Sequence, residues 1–563
     1  FVESKHLAQA VHQETPFDDF KLQPLLPNKL SQNGPGMAWG DIDNDGDEDF
    51  FLGGAKGQAG QLLGKNGEGN FIPLDVPVLM KSVDSEDMGA LFFDCDNDGD
   101  LDLFVAHGSS EHQPGHLSYC DQLYLNDGNG NFAEAPKGSL PKLPMSSGPV
   151  ACADIDRDGD LDLFVGGRLI PGQYPKAPPS QLLVNQGGKF TSMLMPGLGM
   201  VTGAAFSDAD DDGWIDLLVT TEWGPVHFFK NEKGKLTRKT EEAGLSGRTG
   251  WWNGIAVGDL DSDGDLDYLV TNFGLNTKYK ASPKMPALIY YGDVDGSGKP
   301  HLIEAKVSDG RLLPRRGFSC SKSAMPSLQA KVGTFHNFAS SALTELYQDT
   351  RLNSALKFEA NTLETGILIN DGNAHFSWSP LPRFAQIAPA FGAVLEDLDA
   401  DGDLDAVLAQ NFYNPQRETG RMDGGLGLLL ENDGSGNLAP MTAAKSGLVI
   451  PDDAKSLSLT DLNQDNRPDL IFGINDGNTI TYLNQTTRDF LKIPLTPADT
   501  GIKITIDGVT RSLQGGGSYL AHSPAVLFFP SPSRDTSATV RRPDGSTKII
   551  KVTAQQKTLT LTP

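Results

Sequence analysis

One nine-residue pattern, Asp-x-Asp-x-Asp-Gly-x-x-Asp, recurs along this chain and limits what it can fold into. Full copies occur at Asp41-Asp43-Asp45-Asp49, Asp94-Asp96-Asp98-Asp102 and Asp154-Asp156-Asp158-Asp162. Three more stand at Asp208-Asp210-Asp212-Asp216, Asp259-Asp261-Asp263-Asp267 and Asp397-Asp399-Asp401-Asp405. Two weaker copies keep the frame. One is Asp293-Asp295-Ser297 with His301 at the ninth position; the other is Asp461-Asn463-Asp465-Asp469, with Asn466 replacing the glycine. Most copies lie about 50 to 65 residues apart, a period nearer to propeller blades than to helical solenoids.

The flanks set the secondary structure. A short small or apolar stretch precedes each loop, such as Leu91-Phe92-Phe93 or Ile255-Ala256-Val257, and another rich in Leu, Val and Phe follows it. Both are strand-length. Between loops comes a hairpin signal, clearest at Asn126-Asp127-Gly128, Asn370-Asp371-Gly372 and Asn432-Asp433-Gly434. These residues tolerate positive φ, which a tight turn needs. The predicted unit is strand, aspartate loop, strand and hairpin, a four-stranded antiparallel sheet.

Closely spaced, oxygen-only donors suit a hard cation such as Ca²⁺ and suit zinc or copper poorly. The first, third and fifth aspartates converge when the chain turns at the glycine. The seventh residue offers its carbonyl, and the ninth aspartate closes the shell. An EF-hand would place Glu at position 12 and a helix after the loop. Position 12 here is Leu52, Val105, Val165, Val219, Val270 or Leu408, and strands follow, so that reading fails. Several calcium ions are expected, in a structural role, because a saturated shell leaves no open position for chemistry.

The net charge of −27 excludes a nucleic-acid backbone as partner and disfavours an acidic membrane surface. Cys95, Cys120, Cys152 and Cys320 make no disulfide framework or CxxC pattern, and Cys95 and Cys152 are expected as buried free thiols. No apolar run reaches the roughly 18 residues that span a bilayer. The chain opens at Phe1 without a signal peptide and is read as a mature or trimmed form of an extracellular or lipid-anchored protein.

The repeats resemble the FG-GAP/VCBS repeats of integrin α-type propellers over roughly residues 33 to 491. The tail resembles the small β domain called ASPIC/UnbV, in Gly501-Ile502-Lys503-Ile504-Thr505, Gly515-Gly516-Gly517-Ser518-Tyr519-Leu520 and Arg542-Pro543-Asp544-Gly545-Ser546. Together they are similar to the cartilage acidic protein family and its bacterial relatives, which implies an exported calcium-binding protein. The expected architecture is all-β: a lead segment over 1–32, a seven- or eight-bladed β-propeller over 33–491, and a small β domain over 495–563. Eight loop copies suggest eight blades. Asp259 and Asp293 are only 34 residues apart, however, and a hairpin at Asp293 would give seven while leaving the Asn370 hairpin without a loop. A partly helical insertion over about 306–359 is expected to cap one face.

Aspartate loops joining first and second strands would share one face of the disc. Trp251, Trp252, Asn253, Arg168, Asn272, Asn411, Tyr413 and Arg421 would then gather around the opposite mouth. Rings, amides and guanidinium groups there can stack on and hydrogen-bond a sugar or peptide. The first functional reading is a binding or adhesion module for a glycan or protein at the cell surface. The alternatives are a polysaccharide lyase or hydrolase working from the mouth, and a structural subunit of an outer-surface complex. No Gly-x-Ser-x-Gly, His-Glu-x-x-His or phosphate loop occurs, which weakens hydrolase and nucleotide readings.

Overall fold

A computed structural model describes residues 1–66 and 69–561. Among them, seven four-stranded antiparallel sheets follow one another as blades. Blades one to four occupy 37–73, 87–134, 146–195 and 200–238, and blade six occupies 390–440. Blade seven takes three strands from 454–483 and its outermost strand, Val2–Ser4, from the start of the chain. The lead segment therefore closes the ring: Val2 pairs with Leu483 and Ser4 with Thr481.

Burial follows strand position. The innermost strands, such as Asp87–Phe93 and Met200–Ser207, are buried at every residue, whereas the outermost Thr191–Met195 is largely exposed. An inner strand is covered on both faces by neighbouring blades, so its residues are small or apolar rather than alternating. Each blade boundary holds its own apolar cluster. Leu91, Phe93 and Phe104 of blade two, for example, meet Val150, Leu163 and Val165 of blade three.

Blade five resolves the blade count at seven. Its first two strands are Ile255–Gly258 and Asp267–Val270, and its last two are Gly366–Asn370 and Phe376–Pro380. The Asn370 hairpin thus belongs to the Asp259 loop. The intervening residues, 271–365, form an insertion that begins earlier than the expected 306. They build a separate sheet, Arg311–Pro314, His301–Ser308, Ala287–Gly292 and Leu356–Ala360, plus five short helices between 318 and 354. The Asp293 frame is the hairpin turn of this sheet. A short two-strand spacing mimicked a blade because a hairpin can use the same Asp-x-Asp-Gly turn. Within the partly helical insertion expected over about 306–359, Phe335–Ser340 and Leu343–Leu346 are two of these helices, separated at Ser341.

The tail builds a ribbon, Phe490–Pro494 with Val526–Pro530, and a four-stranded sheet from Lys503–Ile506, Val509–Ser512, Thr536–Arg541 and Thr547–Val552. It sits on the aspartate-loop face, where Lys503 Nζ lies 2.7 Å from an Asp211 oxygen and Arg511 Nη2 donates to the Gly402 carbonyl. Between its strands, residues 515–522 descend into the centre of the disc. Gly515–Gly516 pairs with Phe206–Ala205 of blade four, Ser518 exchanges backbone bonds with Ile255 of blade five, and the Leu520 carbonyl accepts from Met37 of blade one. Ser518 Oγ donates to Leu457 of blade seven, and His522 Nε2 lies 2.8 Å from the Val150 carbonyl of blade three. Tyr519 packs against Phe391 of blade six. The tail is thus a plug that satisfies the free backbone edges of the innermost strands.

Glycine is required where the plug passes the blades. A Cβ on Gly515 would lie 1.9 Å from the Cys152 carbonyl oxygen, a backbone atom that cannot move aside. Gly515→Val is expected to cost about 2–4 kcal/mol in chemical denaturation. Gly247→Ala, where nothing lies within 4 Å, should leave the midpoint unchanged. A Gly515→Val midpoint equal to that of the parent would show that the plug is not seated.

Candidate metal sites and the mouth face

Seven aspartate loops take one conformation. The fourth residue is left-handed in each: Asn44 (φ 59°), Asn97 (61°), Arg157 (63°), Asp211 (53°), Ser262 (60°), Ala400 (60°) and Gln464 (60°). The sixth residue has positive φ as well, and Asn466 at 64° keeps the turn that glycine makes elsewhere, because Asn tolerates this region. The sixth N–H donates to the first aspartate's Oδ2 in all seven, at 2.9–3.1 Å. The seventh N–H donates to the fifth residue's Oδ1.

These bonds leave other carboxylate oxygens converging without donors. One ligand atom from each of Asp41, Asp43 and Asp49 lies within 4.8 Å of the others; the same holds for Asp94, Asp96 and Asp102, for Asp154, Asp156 and Asp158, and for Asp208, Asp210 and Asp212. Asp96, Asp208, Asp210, Asp259 and Asp261 each keep a buried Oδ1 with no hydrogen-bond partner. Unpartnered buried oxygens in such sets fit a hard cation. The loops of blades four, six and seven bring basic groups close: Lys230 to Asp210 and Asp212, Arg488 to Asp399, and Lys492 to Asp461. In the Asp293 turn, Arg351, Ser327 and His301 already engage Asp293 and Asp295.

The ninth aspartate has a second set of partners. Its Oδ2 accepts from the N–H of the second loop residue, from Ile42 to Leu462, at 3.0–3.3 Å. In blades two to seven its Oδ1 accepts from the N–H of an asparagine ending the third strand: Asn126, Asn185, Asn231, Asn370, Asn432 or Asn484. That asparagine's Nδ2 then donates to the carbonyl of the second loop residue in the preceding blade, at 2.7–2.8 Å. Read as turn formers, Asn126, Asn370 and Asn432 are instead clasps between blades; within each Asn-Asp-Gly triplet the glycine alone has positive φ. Their recurrence before every turn was the available signal. Asn231→Ala is expected to destabilise the protein by about 1–3 kcal/mol, because the Ile155 and Ile215 carbonyls lose the Asn231 Nδ2 donor. An unchanged denaturation midpoint would remove the clasp from the account.

Burial, with neighbouring carboxylates adding to it, pushes Asp49, Asp216 and Asp469 up to about 8, and Asp162, Asp267 and Asp405 up to about 7. A carboxyl whose folded value exceeds its unfolded one favours the folded state as pH falls from the first value toward the second. Metal-free protein should therefore melt at higher temperature at pH 5 than at pH 8. A flat melting temperature across that range would contradict the sign.

The mouth face differs from expectation. Trp251, Trp252, Asn253, Arg168, Asn272 and Asn411 are all buried. Trp251 stacks on Phe273 at 4.2 Å, and Trp252 packs edge-on against Trp378. Asn253 donates to Ala390 of blade six, Asn272 to Thr362 and Glu364, and Asn411 to Gly425, Pro451 and Asp452. Arg168 pairs with Glu222 at 2.6 Å, and Tyr174 donates to the same carboxylate. These six groups join blades or anchor the insertion, whose apolar side, including Phe273, meets Trp223, Trp251 and Tyr519. Sequence pattern alone does not tell a mouth residue from one under a cap.

Tyr413 and Arg421 do reach the surface. Arg421 lies over the Tyr413 ring, 4.3 Å from its centre, and Tyr413 Oη donates to the Pro451 carbonyl. Together with Asn414, Asp452, Asp453, Asn475 and Asp476 they border a polar cavity of about 460 Å³ beside blades six and seven. Asp453 is buried and its Oδ1 lies 2.7 Å from Lys455 Nζ, which in turn sits over the Phe391 and Phe412 rings.

The chain carries FG-GAP-like repeats, matched over residues 94–165 and 208–270. It is similar to cartilage acidic protein 1 of Xenopus tropicalis, at 24% identity over 217 residues, covering 36% of this chain and 31% of that protein. The match thus spans less than a third of the relative's length. Among solved structures, BBS1N in complex with ARL6DN is 10% identical with a TM-score of 0.38, covering 82% of this chain and 94% of that one. The V. cholerae biofilm matrix protein Bap1 is 11% identical with a TM-score of 0.34, covering 85% and 90%. Sqt1 of Saccharomyces cerevisiae is 9% identical with a TM-score of 0.37, covering 82% and 98%. Likenesses at these scores carry no argument; the propeller is read from its own sheet order.

Proposed function

We propose that the chain is an extracellular, calcium-loaded propeller that works as a binding module for a glycan or protein at the cell surface. The repeat match and the converging unpartnered carboxylates support the calcium reading. The cavity at Tyr413 and Arg421 supports the binding reading. A ring face backed by a guanidinium, with amides and carboxylates beside it, offers stacking and paired hydrogen bonds to a polyhydroxylated or peptidic ligand. The carboxylates serve recognition rather than turnover in this reading, since Asp453 is already paired with Lys455. No helix among the described residues is long and apolar enough to cross a membrane. Placement at an outer surface rests on the repeat family and its similarity to cartilage acidic protein 1.

Glycan-array and pull-down screens with calcium present test the assignment. Arg421→Ala and Tyr413→Ala should each weaken the ligand found by about 10- to 100-fold, with the melting temperature held. Screens that return nothing at high ligand concentration, or affinity unmoved by both substitutions, would remove the cavity from the account. Turnover of a polysaccharide would replace it with an enzymatic role.

A further inference from the structure

A cluster of different chemistry stands on the mouth face of blade two. The segment after the blade's second strand, Asp102–His107, carries His112 and His116, whose imidazoles stack at 4.1 Å and 3°. Asp84, just before the first strand, brings its Oδ2 to 3.5 Å from His112 Nε2. One ligand atom from each of the three lies within 4.8 Å of the others. We propose that Asp84, His112 and His116 form a binding site for a transition-metal ion of the zinc class, separate from the aspartate loops.

Two imidazole nitrogens and one carboxylate make a donor set that borderline metals prefer and that calcium does not. The chain has ten histidines, and here two of them share one short loop, facing a carboxylate from the segment before the blade's first strand. The surroundings hold the ligands in place. Tyr119, itself buried, accepts from the His112 N–H at 2.9 Å and donates to the His112 carbonyl at 3.0 Å. Ser118 Oγ donates to Asp84 Oδ2, the Ser118 N–H donates to His116 Nδ1, and His112 Nε2 lies 2.8 Å from the Asp84 carbonyl. Partners of this kind set ring orientation in metal sites. Asp84 and His116 are exposed, so three protein donors leave the remaining coordination facing solvent, where a water or a donor atom from a bound molecule completes the shell.

The test is a Co²⁺ titration of calcium-saturated protein, followed by visible absorption and by displacement with Zn²⁺. One equivalent of Co²⁺ should bind with visible bands, persist in excess calcium and be displaced by Zn²⁺. His112→Ala and His116→Ala should each weaken uptake at least about tenfold, and Asp84→Ala should also weaken it. His336→Ala, an exposed histidine elsewhere, should change nothing. Circular dichroism confirms that the variants are folded. No Co²⁺ uptake in the calcium-saturated parent, or uptake unaltered in the His112→Ala/His116→Ala double variant, overturns the site and leaves a hydrogen-bonded ring stack.

Discussion

The ring is held by a two-way use of one carboxylate. The ninth aspartate of each loop accepts from its own loop, and in six blades also from an asparagine that reaches back to the preceding blade. Loop, third strand and neighbouring blade are thereby locked through one buried polar chain. Such a chain is costly if any member is missing, since every group in it would be left buried and unpaired. The cation-ready oxygens stand directly beside it, so whatever neutralises the cluster also steadies the contact between blades. Carboxylate cluster and blade joint are one construction rather than two.

The two faces of the disc divide the work. The aspartate-loop face is covered in part by the tail domain, through contacts such as Lys503 and Arg541 to Asp211. The mouth face is covered in part by the insertion and the segment near Leu25 and Leu26, whose carbonyls accept from Arg316. Between the two, Tyr519 fills the axis and bonds to the Asn33 carbonyl. The cavity at Arg421 and the histidine pair on blade two lie away from that filled axis.

Much of this was legible in the sequence because the aspartate pattern is short-range and periodic. It marked the strands on either side, the turn at the sixth position and the convergence of donors. Asn466 shows why a degenerate copy still folds, since left-handed backbone and not glycine itself is what the turn needs. The mouth was poorly legible for a different reason. Trp251, Asn272 and Arg168 carry the residue types of a binding surface, but long-range packing decides their exposure. The plug was hidden likewise: Gly515-Gly516-Gly517 resembles part of a small β domain, but nothing local says that it pairs with the inner strands of the blades.

Ring closure carries a consequence for how the chain is made. Val2–Ser4 is translated ahead of the blades, yet its partner Ile480–Leu483 appears only after six of them. For most of synthesis that early strand keeps a bare hydrogen-bonding edge, the kind that other chains can zip onto. Its brevity, with charged Glu3 at the centre and Lys5 beside it, guards the nascent protein against such misassociation during the wait.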